Sequence, residues 1–153
     1  MTHRQVPVDA VQGALAAEHA AIWAYGVVAA FVSAPLGSQL EEAASAHQAR
    51  RDATERVLIE AGATPVPPEP GYLTPEPVTD ATSALRLAIT AETDAAAAWR
   101  SVVELSPVER SPADPGLRGA ALDALTEAAV RATRWRVTAS ASPLTVPFPG
   151  APA

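Results

Sequence analysis

The sequence predicts an all-α protein, a four-helix bundle with a long proline-rich crossover between its second and third helices. Three observations carry this expectation. Four long alanine-rich stretches are separated by proline-containing breaks. No stretch shows β-branched residues in strand-like alternation. Within each stretch, apolar residues recur in alternating steps of four and three, which keep side chains on one face of a helix. With 153 residues, the chain fits a single domain, 1–153, that closes one core without disulfides or metal.

The first helix is expected over about 8–34, with Asp9 as N-cap and Pro35 as the stop. The second is expected over 38–62: Ser38 and Glu41 have capping-box spacing, and Gly62 suits a left-handed cap. The third spans 79–105, opening at Thr79 or Asp80 and ending ahead of Pro107. The fourth spans 115–140, where Asp114-Pro115 supplies an N-cap followed by proline at the first helical position. Residues 141–153, again proline-rich, form an extended tail whose Leu144, Val146 and Phe148 suit a strap across the bundle or a second subunit.

Between the second and third helices lie sixteen residues, Ala63 to Val78, with six prolines. In an extended polyproline conformation they reach about 50 Å, longer than the ~39 Å of a 26-residue helix. The connection can therefore cross the bundle and leave the third helix parallel to the second, the one-crossover arrangement of ferritin-like bundles. Whether the crevice near Tyr72 forms a pocket is a question for the structure.

Composition removes several function classes. Cysteine is absent, which excludes disulfides, thiolate metal sites, iron–sulfur clusters and a catalytic thiol. Lysine is absent too, all eleven basic residues being arginine, which excludes a Walker-type phosphate loop and Schiff-base chemistry. A net charge of −6 argues against a nucleic-acid partner. The N-terminal residues lack a secretory pattern, so a cytoplasmic location is expected. Ala20 to Ser38 is uncharged and almost long enough to span a bilayer. It is rich in alanine and glycine, however, and reads better as a helix buried in the bundle or covered by a second copy, so a homodimer and no membrane partner are expected.

Polar residues interrupt the inward seams. The first helix gives Val11, Leu15, Glu18, Ile22, Tyr25, Ala29 and Val32; the second gives Leu40, Ala44, His47, Arg51, Thr54, Leu58 and Ala61. The third gives Leu85, Ile89, Glu92, Ala96, Trp99 and Val103; in the fourth, Leu117, Ala121, Leu125, Ala128, Ala132 and Trp135 form the seam, with Glu127 on its flank. Glu18, His47, Glu92 and Glu127 fall near the midpoints of their helices and are expected to meet. Buried charge is costly unless compensated, by a metal, by mutual pairing or by Arg51.

These residues resemble those of the ferritin-like superfamily, and more closely an uncharacterised bacterial ferritin-like domain family. The landmarks are EHAAIWAYG (Glu18 to Gly26), HQARRD (His47 to Asp52) and the glutamate of AET, Glu92. The resemblance implies the fold and assigns no activity. Di-iron members use single glutamates on two helices and a Glu-x-x-His pair on each of the other two. Glu18, Glu92 and His47 match that pattern, whereas Ala44 and Val130 stand where a glutamate and a histidine belong.

Two readings follow. In the first, Arg51 joins Glu18 and Glu92 in a salt-bridged core, with His47 hydrogen-bonded beside it, and the chain is a non-catalytic binding or structural module without a cofactor. In the second, Glu18, His47, Glu92 and Glu127 hold iron, manganese or zinc, with Tyr25 near enough to tune a redox-active centre. His3 and His19 read as surface residues, and Trp23, Trp99 and Trp135 as packing. The Arg131, Arg134, Arg136 cluster reads as favourable charge near a helix C-terminus, available to a partner's carboxylate. No Gly-x-Ser-x-Gly elbow occurs, so hydrolysis is not expected.

Overall fold

The computed structural model describes residues 6–108 and 116–152. Its elements are α1 (Val8–Ala29), a 3₁₀ turn (Ala34–Leu36), α2 (Gly37–Glu60), α3 (Ala81–Leu105) and α4 (Gly116–Thr138). No strand occurs among the described residues. The all-α, four-helix expectation holds, and the differences lie at helix ends.

α1 starts behind Pro7, which needs no amide partner at that place, and Asp9 sits in the first turn rather than at the cap. It stops at Ala29, before Pro35, because Ala29, Ala30 and Phe31 are exposed and gain nothing from continuing as helix. Pro35 instead lies in the 3₁₀ turn, which feeds directly into α2. The expected Ser38–Glu41 capping box does not form: α2 has no side-chain cap, since the 3₁₀ turn carries the backbone straight into the helix. Gly62 does close α2, with φ +78°, and Ala63 N–H donates back to Leu58 C=O at 2.9 Å.

α3 opens on Asp80. Its carboxylate accepts from Ser83 N–H at 2.8 Å while Ser83 Oγ accepts from Asp80 N–H at 3.1 Å. Its far end is satisfied by α4, where Arg118 donates to the carbonyls of Val103 and Ser106. The expected Asp114-Pro115 start of α4 lies outside the described residues.

Two large apolar clusters, with a small third of Ala95, Ala96 and Ala128 between α3 and α4, fix the packing. In one, Tyr25 and Val28 of α1 meet Leu40 of α2, Leu85 of α3 and Trp135 of α4. In the other, Val11 and Leu15 meet Leu58, Trp99 and Ala121. The start of α2 thus shares an end of the bundle with the start of α3. Residues 61–80 lie along α1: Gln12 bonds to Thr64 C=O and Val66 N–H, His19 to Val66 C=O, and the Trp23 ring lies 5.7 Å from that of Tyr72. The surface of α1 is therefore largely covered from within the chain.

The tail returns over α3. Gly150, with φ +75°, sits so close to Ala96 that a Cβ there would lie 2.5 Å from its carbonyl oxygen. Thr93, Ala96, Ala129 and Ala132 form the floor beneath Val146 and Phe148.

Candidate functional site

The two apolar clusters are separated by a polar layer at mid-bundle, built from one residue on each of α1, α2 and α3. Glu18, His47 and Glu92 are all at least 98% buried. His47 Nδ1 lies 2.7 Å from Glu18 Oε2, and Nε2 lies 3.0 Å from Glu92 Oε1. With a carboxylate oxygen on each side, both ring nitrogens donate, which requires the imidazolium. Burial disfavours that charge, but the hydrogen bonds and charges of the two glutamates outweigh it and push the His47 pKa up to about 9.

The fourth member comes from α4. Arg131 Nε donates to Glu92 Oε1 at 2.8 Å. Two buried carboxylates are thereby matched by two cations, the neutral balance that a low-dielectric core demands. Burial pushes the Glu92 pKa up, yet His47 and Arg131 together hold it below the ordinary value.

Aromatic donors complete the layer. Trp99 Nε1 donates to Glu18 Oε1 at 2.6 Å. Tyr25 OH donates to Glu92 Oε1 at 2.5 Å and accepts from Trp135 Nε1 at 2.7 Å. Burial, and then the negative charge of Glu92, push the Tyr25 pKa far above its normal value. A continuous hydrogen-bonded chain thus runs from one indole to the other through Glu18, His47, Glu92 and Tyr25. Glu92 Oε1 receives three donors, while Oε2, also buried, has none among the described residues.

Of the residues singled out in sequence, the fold brings Glu18, His47 and Glu92 together and leaves two out. Arg51 is a third exposed and pairs with its neighbour Asp52 at 2.8 Å. It lies on the side of α2 beneath residues 68–72, because four residues beyond His47 overshoots the inward direction by about 40°. Glu127 is half exposed and accepts from Arg50 Nη2 at 2.6 Å, reaching the core group only through a long 3.9 Å contact with Arg131.

Arg131, expected with Arg134 and Arg136 as favourable charge near a helix C-terminus or for a partner's carboxylate, instead enters the core layer on Glu92. The available signal was its position three after Ala128 and four before Trp135, on the flank of the α4 seam. His19 is likewise buried rather than at the surface, since the proline-rich segment covers it. His3 lies outside the described residues. Trp99 and Trp135 pack as expected and also donate hydrogen bonds.

The donor set does not fit a di-iron pair. Both His47 nitrogens face carboxylates, and Glu18 accepts on both oxygens. Arg131 occupies the side from which a fourth ligand would come, and Glu127 is turned outward. Among the described residues, no group of three or more histidines, aspartates or glutamates is arranged to hold a metal ion. The layer instead holds a charged imidazole between two carboxylates, in a fixed line of hydrogen bonds.

The chain belongs to the family described as Domain of unknown function (DUF4439), whose model matches residues 10–153. It is similar to a solved bacterial structure, "Crystal structure of a conserved hypothetical protein, rv2844, from Mycobacterium tuberculosis", with 38% sequence identity and a TM-score of 0.77. The match covers 85% of this chain and 94% of that one. No curated protein matches the chain.

Proposed function

We propose that this protein is a ferritin-like bundle in which a metal centre is replaced by a self-compensating polar layer, and that it acts as a non-catalytic binding or structural module. The observation that carries the reading is the position of Arg131: its guanidinium supplies, on Glu92, the positive charge that a metal would otherwise bring. The one-crossover ferritin-like topology is supported by the shared end of α2 and α3 and by the run of residues 61–80 along α1. Among the described residues, no helix is long and apolar enough to cross a membrane.

The test is metal content on protein purified without a metal-affinity tag, together with Glu18→Ala and His47→Ala. Metal-free, folded protein, strongly destabilised by either substitution, is the expected result. About one or two iron, manganese or zinc ions per chain, lost in both variants, would return the layer to metal chemistry.

A homodimer is part of the proposal, through a different surface from the one suggested by the uncharged first helix. Leu122, Val130 and Val137 are exposed on the outer side of α4, within about 80° of arc at 100° per residue. Light scattering at micromolar concentration that returns a monomer mass removes it.

A further inference from the structure

A cavity lies away from the polar layer, between α1 and α3 and under the proline-rich segment. Its volume is about 310 Å³, in the range of small-molecule sites. Its lining is rich in small side chains: Ala17, Ala20 and Ala24 of α1 and Ala91 of α3 leave space that larger residues would fill, with Leu87 beside them. Trp23 and residues 72–75 form the remaining wall, and Leu73 stands fully exposed at the rim.

The charged side chain lining this cavity is Asp94. Asp94 is exposed at the cavity's margin, its carboxylate has no hydrogen-bond or ion-pair partner among the described residues, and the part of it turned from water raises its pKa. That separates it from the other acids nearby: Glu76 is paired with Arg86, and Asp80 caps α3. The roof contributes no cation, because residues 61–80 contain Glu69, Glu76 and Asp80 and neither arginine nor lysine. An apolar, aromatic-edged cavity with one exposed, unpaired carboxylate at its margin is complementary to a molecule with an apolar body and one positive charge.

We propose that this cavity binds a small amphipathic organic cation, the apolar part lodged among the alanines against Trp23 and Tyr72 and the ammonium paired with Asp94. The proposal rests on the reading of the chain as a binding module and names the chemistry of what it holds; it does not involve Glu18, His47 or Glu92.

The test uses the full chain and three matched probes, phenethylammonium, phenethyl alcohol and hydrocinnamate, in isothermal titration calorimetry at neutral pH and low salt. Phenethylammonium should bind at least tenfold more tightly than the neutral alcohol, with hydrocinnamate weakest. Asp94→Asn should reduce that preference to about twofold, leaving the melting temperature unchanged. Ala20→Leu, which fills the cavity, should abolish binding of all three in protein that still melts cooperatively. Equal binding of ammonium and alcohol, or a preference unchanged in Asp94→Asn, overturns the charge pairing and with it the proposal. So does binding that survives Ala20→Leu, or no binding by any probe. Metal found in the untagged protein would instead count against the reading of the polar layer and leave this cavity unaffected.

Discussion

Arg131 of α4 reaches Glu92 of α3 at 2.8 Å, on the same carboxylate oxygen that accepts from His47 and Tyr25. This contact ties the fourth helix to a layer otherwise built from the first three. It also makes Arg131, rather than Arg51, the arginine that balances the layer's charge.

Replacing Arg131 by alanine should destabilise the fold by about 3 kcal/mol, because it leaves a buried carboxylate short of a cation. Arg51→Ala should change stability by no more than about 0.5 kcal/mol, since it removes an exposed pair between sequence neighbours. Urea unfolding of both variants checks the contrast. Equal losses would mean that the layer draws its charge from somewhere other than Arg131.

His47 makes stability pH-dependent with a definite sign. Its folded pKa, about 9, exceeds the ordinary 6.5, so its contribution is fully present below about pH 6.5 and is lost as pH rises through 9. Glu92 acts oppositely: its pKa lies below the ordinary 4.5, so its contribution is present above that value and is lost on acidification. Stability should therefore plateau between about pH 5 and 6.5 and fall by a few kcal/mol toward pH 9. In His47→Gln the plateau should drop and the decline between pH 6.5 and 9 should vanish. Urea midpoints at pH 6, 7.5 and 9 read this out; a flat wild-type profile contradicts it.

Tyr25→Phe removes one hydroxyl that serves two partners, leaving the Trp135 indole N–H unsatisfied and Glu92 with one donor fewer. A loss of about 1–3 kcal/mol is expected, with a change in near-ultraviolet circular dichroism from the altered surroundings of Trp135. The wild type should lose further stability above pH 10, where an unfolded tyrosine ionises while the buried one resists, and the variant should not.

Gly150→Ala tests the tail. The positive φ, and the 2.5 Å that would separate an added Cβ from the Ala96 carbonyl oxygen, leave no room for a side chain. The substitution should release residues 142–152 to limited proteolysis while shifting the melting temperature by only a degree or two, since the tail adds little to either apolar cluster. Unchanged protease resistance would place the strap's anchor elsewhere, at Val146 or Phe148.

The all-α, four-helix plan and three of the four charged residues in the polar layer are legible in the chain alone. Glu18, His47 and Glu92 interrupt strongly periodic apolar seams, and a charge on an apolar seam is visible without coordinates. The Asp80 start and the Gly62 stop are legible for the same reason, being set within a few residues of chain. Three-dimensional packing settles the rest: which arginine enters the layer, that Glu127 turns outward, and that His19 is covered. Arg51 stands in its seam and Arg50 and Arg131 flank theirs, yet helical periodicity places a side chain only to within about 50° of arc. Which flank is buried depends on the neighbouring helix and on the path of residues 61–80, contacts between segments far apart in the chain that no local pattern encodes.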